Sequence, residues 1–243
     1  MRKIIATAGI GAIAAVLTAC SHGNAEEAGP TVARNYQVGA FKQIEVAGPY
    51  DVEVRTGANP TVAANGSEKL LERTVVEVKG DTLSIHPEEQ SGWFHMGWQH
   101  NGKAKFIVTV PQLSGATIAG SGGIKVDRVA GDSFEGTIAG SGGLQLDATE
   151  VKTLKLSIGG SGGIKTGTGK AEVAEYDIAG SGGIDAAGVS ATQAKVSIAG
   201  SGSVKANATS TAAIDIMGSG NVNVSGGAKC TVSKAGSGDV SCS

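Results

Sequence analysis

The chain has 243 residues, a formal net charge of −2, 39 glycines and an aromatic content of only 4%. This length is enough to bury a sizeable core without metals or disulfides, and the shortage of aromatic residues means that the core must be mainly aliphatic. The charge balance excludes the basic surplus expected of a nucleic-acid-binding protein. Because glycine richness is compatible with both folded and disordered chains, the periodicity of the apolar residues has to decide between them.

Residues 1–19 have the pattern of a lipoprotein signal peptide. Met1-Arg2-Lys3 is a short basic region, and the apolar stretch IIATAGIGAIAAVL that follows is too short and too rich in glycine for a good membrane-spanning helix. Leu17-Thr18-Ala19-Cys20 resembles the bacterial lipobox, in which the cysteine is lipidated and becomes the new N-terminus. An ordinary signal peptide with an incidental cysteine is the alternative. Lipidation of Cys20 with two or more acyl chains predicts stable anchoring, and Ser21 in place of Asp favours the outer membrane, by resemblance to Gram-negative lipoproteins.

A tether and several short strands are predicted for the part that follows. Residues 20–33 are small and polar after the cysteine and have no apolar period, which is typical of a flexible linker. Residues 34–243 are predicted to form a single domain. Within it, residues 41–54 and 105–110 alternate between apolar and polar side chains as strands do, and residues 75–85 have the pattern of two strands around a Lys-Gly-Asp turn.

The tract SGWFHMGWQHNG, residues 91–102, interrupts the strand pattern with aromatic residues. Trp93, Phe94 and Trp98 are candidates for an exposed loop that stacks on sugars or binds a partner. The alternative is a loop that folds over the side or end of the predicted β domain and covers apolar surface. The two histidines of the tract and His86 have no carboxylate or cysteine at ligand spacing, so no metal site is predicted.

The tripeptide Gly-Ser-Gly recurs at a nearly constant interval through residues 114–243, beginning at positions 120, 140, 160, 180, 200, 218 and 236. A period of this size is typical of solenoids, and the alternation of apolar and polar residues around each copy indicates strands with one buried face. When the copies are superposed, the apolar residues form columns. The two columns beside the tripeptide are Ile118, Ile138, Ile158, Ile178, Ile198 and Ile216, and Ile124, Leu144, Ile164, Ile184, Val204, Val222 and Val240. The sequence therefore predicts an all-β fold, a right-handed parallel β-helix with rungs of about 20 residues, and residues 34–113 are expected to add several more rungs.

The repeated glycines are interpreted as corners of this helix rather than as a phosphate or cofactor site. A P-loop ends in Gly-Lys-Ser/Thr, whereas Ile164 separates Gly163 from Lys165 here. A dinucleotide fingerprint occurs once and opens a helix, whereas this element occurs repeatedly and opens strands. The calcium-binding nonapeptide repeat requires aspartates that nearly all copies lack. No cofactor is predicted.

Three lysines of the outward-facing columns are a candidate binding stripe. Lys125, Lys165 and Lys205 occupy the same position in different repeats, where they could contact an anionic glycan. Solubility and protection of sheet edges explain them as well. The scattered outward aspartates offer no catalytic pair, because Asp177 and Asp215 lie two rungs apart, or roughly 10 Å by strand spacing.

Cys230 and Cys242 fall on inward columns of the last repeat, on opposite arms of its Gly-Ser-Gly corner. In an exported protein such a pair usually forms a disulfide, which would hold the end of the solenoid against fraying. Two buried free thiols are the alternative. Lys234 stands where other repeats have Ile, and a charge there discourages another rung from stacking.

The order of these motifs resembles the auto-transporter adhesin family with a head GIN domain. The resemblance covers residues 38–243 and rests on Phe41-x-x-Ile44-x-Val46-x-Gly48-x-x-x-Val52-x-Val54, on the segment GDTLSI, and on the Ile-x-Gly-Ser-Gly repeats. It implies a bacterial envelope protein, often a lipoprotein, with a parallel β-helical fold, and it brings no catalytic residues.

The expected function is therefore that of a lipid-anchored envelope protein, not an enzyme, whose β-helix is a binding or adhesion surface. Its expected partners are the membrane, through Cys20, and a glycan or an envelope protein, with no nucleic acid. A scaffold that assembles end to end is the main alternative, and an enzyme acting on polysaccharides is a weaker one. The sequence leaves the ligand and the oligomeric state open.

Overall fold

The computed structural model describes residues 29–88 and 103–243, which form a β-solenoid of about six turns. The predicted parallel β-helix with rungs of about 20 residues is confirmed. The elements that precede the regular turns are β1 (Thr31–Tyr36), β2 (Gln43–Ala47), β3 (Asp51–Thr56), β4 (Thr61–Ser67), α1 (Glu68–Glu72), β5 (Thr74–Lys79), β6 (Thr82–Pro87), β7 (Ala104–Val110) and β8 (Gly115–Gly120). The regular turns consist of β9 (Gly123–Gly140), β10 (Gly143–Gly160), β11 (Gly163–Gly180), β12 (Gly183–Gly200), β13 (Ser203–Gly218), β14 (Asn221–Ser225), β15 (Lys229–Ala235) and β16 (Val240–Cys242).

Each of the turns β9 to β13 is one long bent strand, and β10 shows how such a strand forms three sides. In β10 the inward residues alternate normally, but the alternation slips between 146 and 149 and again between 151 and 154, and the parallel pairing with β11 omits Asp147 and Lys152 at those two places. Together with the Gly-Ser-Gly corner, these slips divide the turn into a first side (143–147), a second side (148–152) and a third side (153–160). The same names apply to the equivalent residues of the other turns.

Neighbouring turns pair in parallel and in register, so identical positions stack above one another. Ile158 lies between Ile138 and Ile178, and Leu144 lies between Ile124 and Ile164. All six side chains are buried. Each buried aliphatic side chain contributes roughly 1.5–3 kcal/mol, which offsets the conformational cost of the many glycines.

Two glycines of each corner are required by the way the corners stack. Gly140 has a φ of +131°, and a Cβ there would also overlap the Gly120 carbonyl oxygen of the turn below. A Cβ on Gly142 would lie 2.6 Å from Ile118 Cγ2, which is closer than real contacts allow. The corner is held instead by backbone hydrogen bonds, such as the one from the Ser141 N–H to the Gly120 carbonyl at 2.9 Å.

The expectation that residues 34–113 add several more rungs was wrong. Strands β2 and β3 form one rung around Gly48, parallel to β8 and β9, and β6 and β7 continue this parallel pairing outward. Beyond them β5, β4 and β1 pair antiparallel. For β5 the reason is local: the turn at Gly80 (φ +60°) folds β5 back on β6 as a hairpin, and a hairpin reverses strand direction.

At the opposite end the last turn is closed by a disulfide and a lysine. Cys230 and Cys242 are bonded, with their Cα atoms 6.7 Å apart, and they continue the inward columns of Ala212 and Val224. Cys242 is exposed because no further rung lies above it. Lys234 is in register with Ile216, and its Nζ donates to the Gly238 carbonyl at 2.7 Å.

Candidate ligand-binding groove

A groove of about 620 Å³ runs along the first side of the solenoid, across the strands. Its floor is the column Gly123, Gly143 and Gly163, and its wall carries Lys125, Gln145 and Lys165. Both columns follow directly from the in-register stacking of β9, β10 and β11. We call this feature the groove, and it contains two of the three lysines that the sequence singled out.

The floor glycines are not required by the fold, unlike their two neighbours in each corner. A Cβ on Gly143 would lie 4.0 Å from the nearest atom outside its chain neighbours, the Gly163 carbonyl oxygen, and its φ is not in the left-handed region. The same column carries Ser203 and Asn221 in later turns, so side chains are accepted there. Backbone geometry therefore does not require glycine in this column.

The wall alternates in chemistry from one rung to the next. Lys125, Gln145, Lys165, Asp185 and Lys205 are stacked in register, so the lysines occupy alternate rungs about 10 Å apart. The structure thus places the three predicted lysines in one column but not next to each other. The order of residues in this column follows from the constant interval of 20 residues, which can be read directly from the sequence.

The lysines of the wall differ in their contacts. Lys125 Nζ lies 3.2 Å from Asp147 Oδ2, and the amide of Gln145 donates to the other oxygen of that carboxylate at 2.7 Å. Within the described part of the chain, Lys165 and Lys205 make no ion pair. Their ammonium groups therefore remain available to an anionic or hydroxyl-bearing ligand.

The end of the groove nearest the N-terminal strands is a salt-bridge cluster around Glu53. Glu53 contacts Lys105 at 2.8 Å and Arg55 at 2.6 Å. Hydrogen bonds from Lys105 and then from Arg55 lower the pKa of Glu53 to about 2, so the carboxylate stays ionised at any physiological pH. Sequence reasoning missed this cluster because Lys105 reaches Glu53 only through the pairing of β3 with β7. The one available signal was the Glu-x-Arg spacing, which puts both side chains on one face of a strand.

The other two sides carry ion pairs directed along the solenoid axis. Lys152 Nζ lies 2.8 Å from Asp132, and Lys155 Nζ lies 3.2 Å from Glu135, one turn below in each case. These contacts raise the pKa of both lysines, through hydrogen bonding first and Coulomb attraction second. Their charges are thereby committed to neighbouring turns of the protein.

A second groove, of about 780 Å³, lies beside the Gly48 corner and includes Glu45, Ser84 and His86. His86 Nε2 lies 3.2 Å from Glu77 Oε1, and its Nδ1 lies 2.8 Å from the Pro87 carbonyl oxygen. Across residues 29–88 and 103–243, no three His, Cys, Asp or Glu side chains are grouped so that they could hold a metal ion.

Four predicted site residues lie outside the described residues: Cys20, Trp93, Phe94 and Trp98. Among the described residues, no helix has the length and apolar character needed to cross a membrane.

Several solved bacterial structures share this fold. A "putative adhesin" from Bacteroides fragilis superposes with a TM-score of 0.78 at 21% identity, covering 88% of this chain and 97% of that one. A "putative lipid binding protein" from Parabacteroides distasonis gives 0.68 at 24% identity, covering 88% and 97%. A "putative adhesin" from Parabacteroides merdae gives 0.68 at 20% identity, covering 89% and 98%. At these identities the likeness establishes the fold alone.

No functionally curated protein matches the chain. The sequence profile of one family, however, matches residues 40–228, which is most of the chain and includes the strand pattern and the Gly-Ser-Gly repeats. The resemblance noted from the motifs is thereby confirmed, and the chain belongs to the family described as "Putative auto-transporter adhesin, head GIN domain".

Proposed function

We propose that this protein is a lipid-anchored binding protein of the bacterial envelope that holds a glycan in the groove. The observation that carries the proposal is the open floor at Gly123, Gly143 and Gly163. The fold accepts side chains in that column, yet three consecutive turns within the groove have none.

The chemistry of the groove suits a sugar chain. A floor without side chains admits the flat face of a pyranose ring close to the backbone. The wall then offers the ammonium group of Lys165, which makes no ion pair among the described residues, and the carbonyl oxygen of the Gln145 amide as an acceptor. Sugars carry hydroxyls on every edge, and this wall can form hydrogen bonds with those on one side.

Membership of an adhesin-like family supports a location in the envelope or at the cell surface. Lipidation of Cys20 would attach the protein to the outer membrane, and residues 20–33 would separate the solenoid from the bilayer. Replacement of Cys20 by Ser is expected to abolish incorporation of labelled palmitate in growing cells and to release the protein from the membrane fraction. Unchanged labelling and fractionation would exclude this anchor.

A binding role is favoured over the two other classes. For an enzyme, the outward aspartates are too dispersed, since Asp177 and Asp215 are separated by a full turn that carries Ser197. For an end-to-end scaffold, the last turn is unsuitable because Lys234 stands in the Ile column and the disulfide ties the two arms together.

The test is binding of the full-length protein to lipopolysaccharides, capsular polysaccharides and peptidoglycan fragments immobilised on an array. The informative variants are Gly143→Thr, which fills the floor, and the triple change Lys125→Ala, Lys165→Ala and Lys205→Ala. Lys170→Ala with Lys195→Ala is the matched control, because these exposed lysines lie on the second and third sides.

Binding that is lost in the groove variants and kept in the control would support the proposal. Binding that survives them but is lost in Trp93→Ala with Trp98→Ala would move the site to the 91–102 tract. Absence of binding to every glycan would refute a glycan-binding role.

A further inference from the structure

We infer that the third side of the solenoid binds a second copy of this chain, face to face and with the two solenoid axes antiparallel. The contact does not use the first side, which carries the groove, so the inference goes beyond the proposed function and does not depend on it.

A column of alternating charge runs along this face. Glu135, Lys155, Glu175 and Lys195 are stacked in register on consecutive turns. Lys155 forms an ion pair with Glu135, whereas Glu175 and Lys195 make no ion pair among the described residues. Two charges of the column therefore remain available to a partner.

The order of these charges is complementary to its own reverse. A two-fold axis that runs along the strands, between β10 and β11, reverses the order of the turns and keeps each position along the strand. Glu175 then faces Lys155 of the second copy, and Lys195 faces Glu135 of the second copy. Each contact occurs twice, and Lys155 keeps its own pair with Glu135. Because both copies have the same spacing of about 4.8 Å between turns, all four contacts form together.

The same column excludes the neighbouring registers. A displacement by one turn would place Lys155 opposite Lys155 of the second copy and Glu135 opposite Glu175 of the second copy. Like charges that meet in an interface cost several kcal/mol, so the column selects a single register.

The adjacent column accepts this register. It contains hydroxyl and acidic residues, namely Thr117, Thr137, Ser157, Asp177, Ser197 and Asp215. In the rotated copy Asp177 faces Ser157, and Asp215 faces Thr117. Each carboxylate thus meets a hydroxyl donor, and no two carboxylates of the column are opposed.

An exposed methionine fits an apolar part of the second copy. Met217 is 71% exposed and stands in a column of small residues, Ala119, Ala139, Gly159, Ala179 and Ala199. In the same register Met217 lies opposite Ala119 of the second copy. Ala119 is bonded through its carbonyl to the Gly48 N–H, beside Pro49 and Gly120 of the second groove. The dimer would therefore cover two apolar surfaces that the isolated chain exposes.

The face is large enough for a specific dimer. Strands β2, β8, β9 to β13 and β15 stack on this side, which gives about 34 Å along the axis and about 23 Å along the strands. This area is close to the roughly 800 Å² per partner that specific interfaces bury.

The experiment is sedimentation equilibrium on the full-length protein in density-matched mild detergent. The parent is expected to have the mass of a dimer, and high salt should weaken it. Glu175→Lys and Lys155→Glu should each raise the dimer dissociation constant at least about tenfold, because each brings like charges together. An equimolar mixture of these two variants should recover the dimer mass, since each then meets its opposite charge. Glu172→Lys, exposed on the second side of the same turn, is the control and should leave the mass unchanged.

Cross-linking tests the register. Thr137 faces Ser197 of the second copy, whereas each of them lies three turns from its own equivalent. A mixture of Thr137→Cys and Ser197→Cys proteins should therefore form a covalent dimer with a short bismaleimide, and either variant alone should form much less.

A parent that stays monomeric at all concentrations would overturn the inference. A dimer that Glu175→Lys leaves intact, or that Glu172→Lys weakens as much, would also overturn it. Failure of the mixed charge variants to associate, or equal cross-linking of the mixed and separate cysteine variants, would refute the antiparallel register.

Discussion

The carboxylate of Asp127 binds Thr56 twice, although the two residues are separated by 71 positions in the chain. The Thr56 N–H donates to it at 2.9 Å, and the Thr56 hydroxyl donates to it at 3.0 Å. Thr56 ends β3, and Asp127 ends the first side of β9. These bonds therefore fasten the N-terminal rung to the first of the regular turns.

Replacement of Asp127 by Ala should lower the free energy of unfolding by about 1–2 kcal/mol, because the Thr56 N–H loses its charged acceptor. Chemical denaturation measures this change. The control is Asp147→Ala, one turn further along, whose carboxylate contacts, among the described residues, only the side chains of Gln145 and Lys125. A loss as large in the control as in Asp127→Ala would contradict the importance of the Thr56 contact.

Two glycines of one corner, Gly140 and Gly143, should respond differently to alanine. Gly140→Ala is expected to destabilise the protein by more than about 1 kcal/mol, since it combines a positive φ with overlap of the Gly120 carbonyl. Gly143→Ala should be neutral or stabilising by up to about 1 kcal/mol, because the site has room and alanine restricts the unfolded chain. Thermal unfolding of both variants decides the point. Equal destabilisation would mean that the floor glycines serve the fold.

Two tyrosines provide a matched test of buried hydroxyl groups. Tyr176 is fully buried and burial raises the pKa of its phenol, yet its oxygen has no hydrogen-bond partner among the described residues. Tyr50 is also buried, but its oxygen lies 3.1 Å from Thr74 Oγ1. Tyr176→Phe should stabilise the protein by about 1 kcal/mol, and Tyr50→Phe should destabilise it by a similar amount. A loss of stability in both variants would reveal a partner for Tyr176.

The disulfide should contribute to the stability of the last turn. Cys230 and Cys242 close a loop with a sequence separation of 12, for which the gain from restricting the unfolded chain is about 3 kcal/mol. Changing both residues to Ser should lower the unfolding midpoint, and a reducing agent should lower that of the parent by the same amount. Identical midpoints for the oxidised parent and the double variant would show that the bond contributes nothing.

The Glu53 cluster predicts a defined pH dependence. The pKa of Glu53 is lowered in the folded state from its ordinary value of 4.5 to about 2, so its contribution is fully present above pH 4.5 and is lost as the pH falls toward 2. The difference in unfolding midpoint between the parent and Glu53→Gln should be constant from pH 5 to neutrality and should vanish near pH 2. A difference that persists at pH 2 would show that Glu53 acts through something other than its charge.

The sequence predicts the regular turns well because an interval of 20 residues determines which positions stack. Ile138, Ile158 and Ile178 could be aligned by counting, and the same counting placed Cys230 and Cys242 in the same turn. The N-terminal part has no such repeat. Its pairings, such as Asp51 with both Lys105 and Gly123, depend on contacts between distant segments that no local pattern encodes.

The candidate site was predicted only in part, for a related reason. The lysine column follows from the 20-residue period of the repeats, so it could be predicted from the sequence. The distinction between glycines that the corner needs and glycines that it does not need requires the distance from each Cβ position to the neighbouring turn. Gly142 and Gly143 are adjacent and identical in the sequence, but only the first has a side chain of another turn, that of Ile118, within 2.6 Å of its Cβ position.

The antiparallel strands at one end and the bonded cysteines at the other make the solenoid a modular unit of adjustable length. Neither closure depends on how many regular turns lie between them, because β9 to β12 pair with one another through the same register. Duplication or deletion of one repeat in that stretch would lengthen or shorten the protein by about 4.8 Å and leave both ends intact. The same event would add or remove one position of the glycine column.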